Sequence, residues 1–244
     1  MTNIDVVVNG ISMGNLLLKA IGGHIDPEFG TSGHNYIYLE VTNSSTGKIW
    51  LNNNLGAAYN DTDHANFNIS QQATTSNDQN AFGDLYQWGR YGEGHEKRNS
   101  LTHPPSANSP NPDPNDSWYG KFITTGGDWL TPSNNSLWSG LTGLNIPCPS
   151  GFRLPSTAEL DQERLSWSQN NSTGAYNSAL KLTKGGWRRH NDAAVLSTTG
   201  SGYYWSGSVH GAMSYYAMRL AIGNTAFTDG FARGAGHSVR CIKD

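Results

Sequence analysis

The chain has 244 residues, enough for one large domain or for a domain with a small appendage. Only 14% of them are charged, against about a quarter in an ordinary globular domain. The net charge is −3 and no basic run is longer than Trp187-Arg188-Arg189-His190. Phosphate binding needs concentrated Lys and Arg, so this balance excludes nucleic acid as the main partner. No stretch approaches the roughly 20 apolar residues of a membrane span, so no membrane insertion is expected.

Solubility therefore rests on Asn, Ser, Thr and Gly, while 8 Trp and 11 Tyr supply bulky apolar surface for a core. With 29 Gly and 10 Pro, many turns and few long helices are expected. Residues 1–34 read as a separate N-terminal segment for assembly or attachment, with a short β-like run at 4–8 and no clear periodicity. Met1-Thr2-Asn3-Ile4-Asp5 lacks the basic start of a signal peptide and Leu16-Leu17-Leu18 is too short for its apolar centre, so no export signal is expected. The main domain opens with a hairpin: a strand at 35–41, a turn through Asn43-Ser44-Ser45-Thr46-Gly47, and a second strand at 48–51. Phe82, Leu85, Tyr86 and Gly89 fall at i, i+3, i+4 and i+7, which predicts an amphipathic helix. Residues 92–115 are polar and proline-studded and read as a long surface excursion.

The clearest helix start is Pro155-Ser156-Thr157-Ala158-Glu159. Ser156 can cap the free amides while Glu159 reaches back, and the helix should end by Asn170-Asn171. Ala158 with Leu165, and Leu160 with Trp167, repeat every seventh residue on one face. Beyond Gly185 the pattern turns to strands, at 203–206, 216–222 and 238–242, with a loop of small residues over 228–236. Met218, Leu220 and Ile222 alternate with Ala217, Arg219 and Ala221, so the first set should be buried and the second should face out. Cys148 and Cys241 are the only cysteines, and neither lies in a CxxC pair. If bridged they close a long loop, and if not they are two buried thiols; the redox compartment that decides this is not legible.

Five phrases, in order, carry a resemblance. They are Gly47-Lys48-Ile49-Trp50-Leu51-Asn52-Asn53-Asn54-Leu55-Gly56-Ala57; Phe82-Gly83-Asp84-Leu85-Tyr86-Gln87-Trp88-Gly89-Arg90; Pro147-Cys148-Pro149-Ser150-Gly151-Phe152-Arg153-Leu154-Pro155; Gly202-Tyr203-Tyr204-Trp205-Ser206; and Ser238-Val239-Arg240-Cys241. Together they resemble the major paralogous domain first noted in Fibrobacter, a branch of the C-type-lectin-like fold related to the formylglycine-generating enzymes. The same text is similar to target proteins of diversity-generating retroelements, whose variable C-terminal segment binds ligands. The resemblance covers residues 35–244. It implies an α+β, C-type-lectin-like fold with few helices, short antiparallel strands and long loops, and it places Cys148 beside Cys241 as a disulfide or as paired thiols.

The resemblance also implies a variable C-terminal region over about 203–244. The ligand-binding surface it suggests comprises His210, Met213, Ser214, Tyr215, Ala217, Arg219, Ala221, Thr228, Asp229, Gly230, Phe231, Ala232 and His237, although Met213 departs from the codon set expected of a randomised Asn codon. This mixture suits an adaptable paratope, with rigid aromatic anchors among small, permissive neighbours. The loop carrying Phe231 should bring it near Tyr215 and Arg219, and Trp187-Arg188-Arg189-His190 reads as an exposed turn that could extend the site. The expected function is non-enzymatic attachment to a protein or other surface ligand on a host or neighbouring cell, on a virion or cell surface, with oligomerisation open.

The competing implication is a metal-dependent oxidase with a copper-binding cysteine pair, or a sulfoxide synthase with an HxxxHxE iron site. His24, His34, His64, His95 and His103 never show that spacing, and both cysteines sit in places that look structural. The Glu-Pro-Asn and Gln-Pro-Asp phrases of calcium-dependent sugar binders are absent as well. No cofactor is expected, though loop Asp and Asn oxygens could hold a structural calcium.

Overall fold

The computed structural model describes residues 22–30 and 33–244, together with the backbone of residues 7–8 and 11–12. Most of the 4–8 run and Leu16-Leu17-Leu18 lie outside the described residues. Strands make up 27% of the described structure and its helices are few, which places it in an α+β or mostly-β class. The elements that carry the argument are, in order, β1 (Glu40–Asn43), β2 (Lys48–Leu51), β3 (Tyr86–Gln87), β4 (Phe152–Arg153), α1 (Thr157–Leu165), α2 (Ser172–Asn177), β5 (Trp187–Arg188), β6 (Val195–Leu196), β7 (Gly202–Val209), β8 (Tyr216–Ile222), β9 (Ala226–Ala232), β10 (Gly236–His237) and β11 (Ile242–Lys243). They form three antiparallel sheets, ordered β4-β11-β2-β1, β6-β5-β10-β3 and β7-β8-β9.

The opening hairpin forms as its turn chemistry dictates. The Asn43 carbonyl accepts the Thr46 and Gly47 amides, its side chain accepts the Ser45 amide, and Gly47 takes the left-handed conformation at φ 70°. The capping box also forms: the Ser156 hydroxyl accepts the Glu159 amide and the Glu159 carboxylate accepts the Ser156 amide. The helix it starts ends at Leu165, short of Asn170, and Ala158 and Leu165 face solvent while Leu160 is buried. A second helix, α2, follows at once because Asn171 caps the amides of Thr173 and Gly174.

The helix expected through Phe82, Leu85, Tyr86 and Gly89 does not form. Residues 81–90 are buried on every side, so the i, i+3, i+4, i+7 spacing marks no stripe, and Gly83 and Gly89 adopt φ 68° and 85°. Tyr86 and Gln87 instead pair with Gly236 and His237 in β3. The excursion over 92–115 is exposed only in its later part, since Gly92, Glu93, His95 and Glu96 are buried. Residues expected as a loop at 228–236 form most of β9, and the last stretch pairs at Gly236–His237 and Ile242–Lys243 rather than continuously over 238–242.

The segment before residue 35 joins the main domain in its described part. His24–Ile25 pairs antiparallel with Ile37–Tyr38, and Asp26 and His34 are buried. His34 bonds Glu96 at 3.0 Å through Nε2 and places Nδ1 3.3 Å from an Asp26 oxygen. Burial alone would lower the His34 pKa, but hydrogen bonds to Asp26 and Glu96 and their negative charges carry it up to about 9.

The quoted phrases meet one another inside the molecule. Arg240 is fully buried and donates to the Asn54 side chain at 3.0 Å and to the carbonyls of Leu51, Asn52 and Leu180. The Leu51 amide donates to the Cys241 carbonyl and the Leu55 amide to the Val239 carbonyl, both at 3.0 Å. Trp88, Trp129 and Trp205 are each buried with the indole N–H on a backbone carbonyl, at 2.7–2.9 Å. Cys148 and Cys241 form a disulfide with a Cα separation of 5.9 Å, closing 93 residues of chain.

Candidate binding surface

The sheet β7-β8-β9 divides its residues by parity. Even positions Tyr204, Leu220, Ile222 and Ala226 pack with Leu160 of α1, Leu180 and Trp50 in one buried cluster. Odd positions stand in cross-strand rows: Tyr203, Ala221 and Phe227; Trp205, Arg219 and Asp229; and Ala217 beside Phe231. This second face meets the larger core, which holds Trp205 and Ala217.

The expectation that Ala217, Arg219 and Ala221 face outward is therefore corrected: they are 0%, 7% and 4% exposed. Alternation separates two faces but does not say that one is wet, and here protein covers both. Met218, placed in the buried set, is only half-buried, whereas Leu220 and Ile222 are fully buried. Ala232 and His237, also expected on the surface, are buried at 3% and 0% exposure.

Arg219 organises the odd face. Its guanidinium lies 3.8 Å from the Phe231 ring centroid and 4.6 Å from that of Tyr203, donates to the Asp229 carboxylate at 2.9 Å and meets His237 Nε2 at 3.1 Å. Burial and the neighbouring Arg219 charge hold the His237 imidazole well below its usual pKa, so it is neutral and accepts from Arg219. A buried cation is thus satisfied from four directions and fixes two aromatic rings in place.

The rim of this arrangement is exposed. Of the two neighbours expected for Phe231, Arg219 stacks on it while the Tyr215 ring packs on Tyr216, and Trp187 packs edge-on against both Phe231 and Tyr203, at 5.3 and 6.3 Å between centroids. Trp187-Arg188 is a strand rather than a turn, with Arg188 buried and Trp187 half-buried at the patch. Tyr215 is 45% exposed beside Tyr216, and Met213 and Phe227 are 42% and 49% exposed. The His210 ring accepts the Ala212 and Met213 amides, which shapes the exposed loop that presents Met213, Ser214 and Tyr215.

Other expected members point elsewhere. Thr228 bonds Asp161 of α1 at 3.1 Å, and Gly230 sits under the His210 ring, so both belong to the even face. Tyr203, Trp187 and Phe227 join the patch although the residue set drawn from the resemblance omits them. Tyr203 shares its parity with Trp205, which was a usable signal, whereas Phe227 was hidden because β9 read as a loop.

The patch is one face of a sheet. A cavity of about 240 Å³ lined by Asn43, Ser166, Trp167 and Asn177, and another of about 310 Å³ lined by Trp138, Arg153, Glu159 and Ser208, both lie away from it. Glu93, His95 and Glu96 form a buried group whose ligand atoms lie within 4.8 Å of one another. His95 Nε2 accepts the Gln87 amide and Nδ1 bonds Glu93, so as arranged neither ring nitrogen offers a lone pair to a cation. Cys148 and Cys241 are bonded to each other rather than presented as a free pair.

Comparison with protein-family models, with curated proteins and with solved structures finds no match for this chain. Among the described residues, no helix is long and apolar enough to cross a membrane.

Proposed function

We propose that this chain is a non-enzymatic recognition protein, a C-type-lectin-like domain that binds a protein or other surface ligand through β7-β8-β9. The observation that carries the reading is the aromatic patch around Arg219, with Phe227 exposed in its row beside Ala221 and with Tyr215 and Met213 exposed in the stretch that leads into β8. An aromatic sheet face suits a macromolecular partner better than a small molecule, which favours an enclosed pocket. Rings pinned by a buried guanidinium lose little freedom on binding, so more of the contact energy appears as affinity.

The division of labour suits a diversified target protein of a retroelement on a virion or cell surface. The quoted phrases interlock through Arg240, Asn54 and the disulfide, leaving the rim free of scaffold duties. A disulfide is also at home in an oxidising setting. Two observations test the reading. The coding DNA should lie near an almost identical copy of its 3′ end that differs only at adenines. Labelled protein should bind intact host or neighbouring cells, and a Tyr215→Ala, Phe227→Ala double variant should lose that binding at unchanged melting temperature. Cell binding that is indifferent to the double variant would remove the patch from the function.

A further inference from the structure

We propose that the outer edge of β9 docks an extended peptide segment as an added strand, with a basic side chain of that segment opposite Asp229. The proposal rests on β7-β8-β9 being the binding surface and names the kind of ligand it takes.

Two contacts fix the direction of every backbone group on β9. The Arg233 amide donates inward to the Tyr215 carbonyl at 3.0 Å, so the odd residues of β9 direct N–H and C=O toward β8. The Ala226 amide points the other way and donates to the Asn170 carbonyl at 2.9 Å. Thr228, Gly230 and Ala232 share that outward direction. The Ala232 carbonyl accepts the Ala235 amide at 3.0 Å. The backbone N–H and C=O of Thr228 and Gly230 have no partner among the described residues. They lie on an edge strand whose register with β8 is unbroken and which contains no Pro or Lys, the usual devices against strand addition.

A second copy of the chain is a poor occupant. The antiparallel self-pairing that uses all the free groups joins Thr228 to Gly230 of the second copy, and it sets Asp229 directly opposite Asp229. A foreign segment with Lys or Arg at that position replaces repulsion with attraction, since the Asp229 side chain is 35% exposed beside Arg219. Phe227 and Phe231 lie two residues to either side on the same face, so apolar side chains two positions from the basic residue would meet them.

The probe is the peptide acetyl-Val-Thr-Lys-Thr-Val-amide, titrated to millimolar concentration into the full ¹⁵N-labelled chain. The expected result is exchange slowed by about tenfold or more at the Thr228 and Gly230 amides, with Phe227, Asp229 and Phe231 unchanged because their amides already face β8. The same peptide N-methylated at every residue should give no protection, and Glu in place of Lys should weaken binding. Unprotected Thr228 and Gly230 amides at saturating peptide, or equal protection by the methylated peptide, would overturn the proposal. Edge protection combined with cell binding indifferent to Tyr215→Ala, Phe227→Ala would leave the edge standing while the reading of the rim fails.

Discussion

Replacing Arg219 by alanine tests whether the odd face of the sheet is an organised core rim or a solvated surface. The side chain is 7% exposed and its guanidinium stacks on two rings, at 3.8 and 4.6 Å. Each such contact contributes about 1 kcal/mol when partly desolvated. The His237 hydrogen bond adds about 1 kcal/mol, and the Asp229 pair adds less than that because the carboxylate is partly wet. Together these losses come to about 3 kcal/mol, or a fall in melting temperature of roughly 6–12 °C for a chain of this length. Arg219→Lys keeps the charge but not the planar fork, and should recover less than half of the loss. Thermal unfolding followed by circular dichroism reads the outcome. A shift of under about 2 °C for Arg219→Ala would mean that the side chain is solvated surface, and the ring-clamping argument would fall.

Leu220→Ala, at 0% exposure in the cluster under α1, should cost about 2–5 kcal/mol in a urea melt through the cavity it leaves. Reduction of the disulfide, or paired Cys148→Ser and Cys241→Ser substitution, frees a 93-residue loop and should cost about 4–5 kcal/mol by denaturant unfolding. His34 gives a pH signature. Its folded pKa of about 9 exceeds the ordinary 6.5, so its contribution is fully present below pH 6.5 and is lost as pH rises through 9. That loss is worth roughly 3 kcal/mol, and His34→Ala should flatten this alkaline limb of the stability profile.

Much of the architecture was legible because its signals are local. The Asn43 turn, the Ser156 capping box and the strand over 216–222 each depend on groups within a few residues, and each forms. The two main misreadings have opposite causes. Around Tyr86 a helical spacing appeared by chance in a stretch where every residue is buried, so no period could be diagnostic. At β9 the opposite happened: Thr228, Asp229 and Gly230 look like loop residues, and only pairing with Leu220, Arg219 and Met218 makes them a strand.

The β7-β8-β9 sheet shows how far parity reaches and where it stops. Sequence alternation correctly groups Ala217, Arg219 and Ala221 on one face, because that follows from the backbone alone. Which face meets solvent depends on Trp187, Trp205 and His237, residues brought from a dozen or more positions away by other strands. Those neighbours turn the small alanines from exposed positions into a floor and Arg219 from a contact residue into a clamp. The exposed chemistry passes to the rim, where Tyr215 and Phe227 keep 45% and 49% of their surface. Substitution at the rim changes what is displayed, whereas substitution at the floor changes whether the rings are held at all. Melting temperature should therefore be insensitive to substitution at Met213, Ser214, Tyr215 and Phe227, whereas Ala217 and Ala221 should accept only small residues.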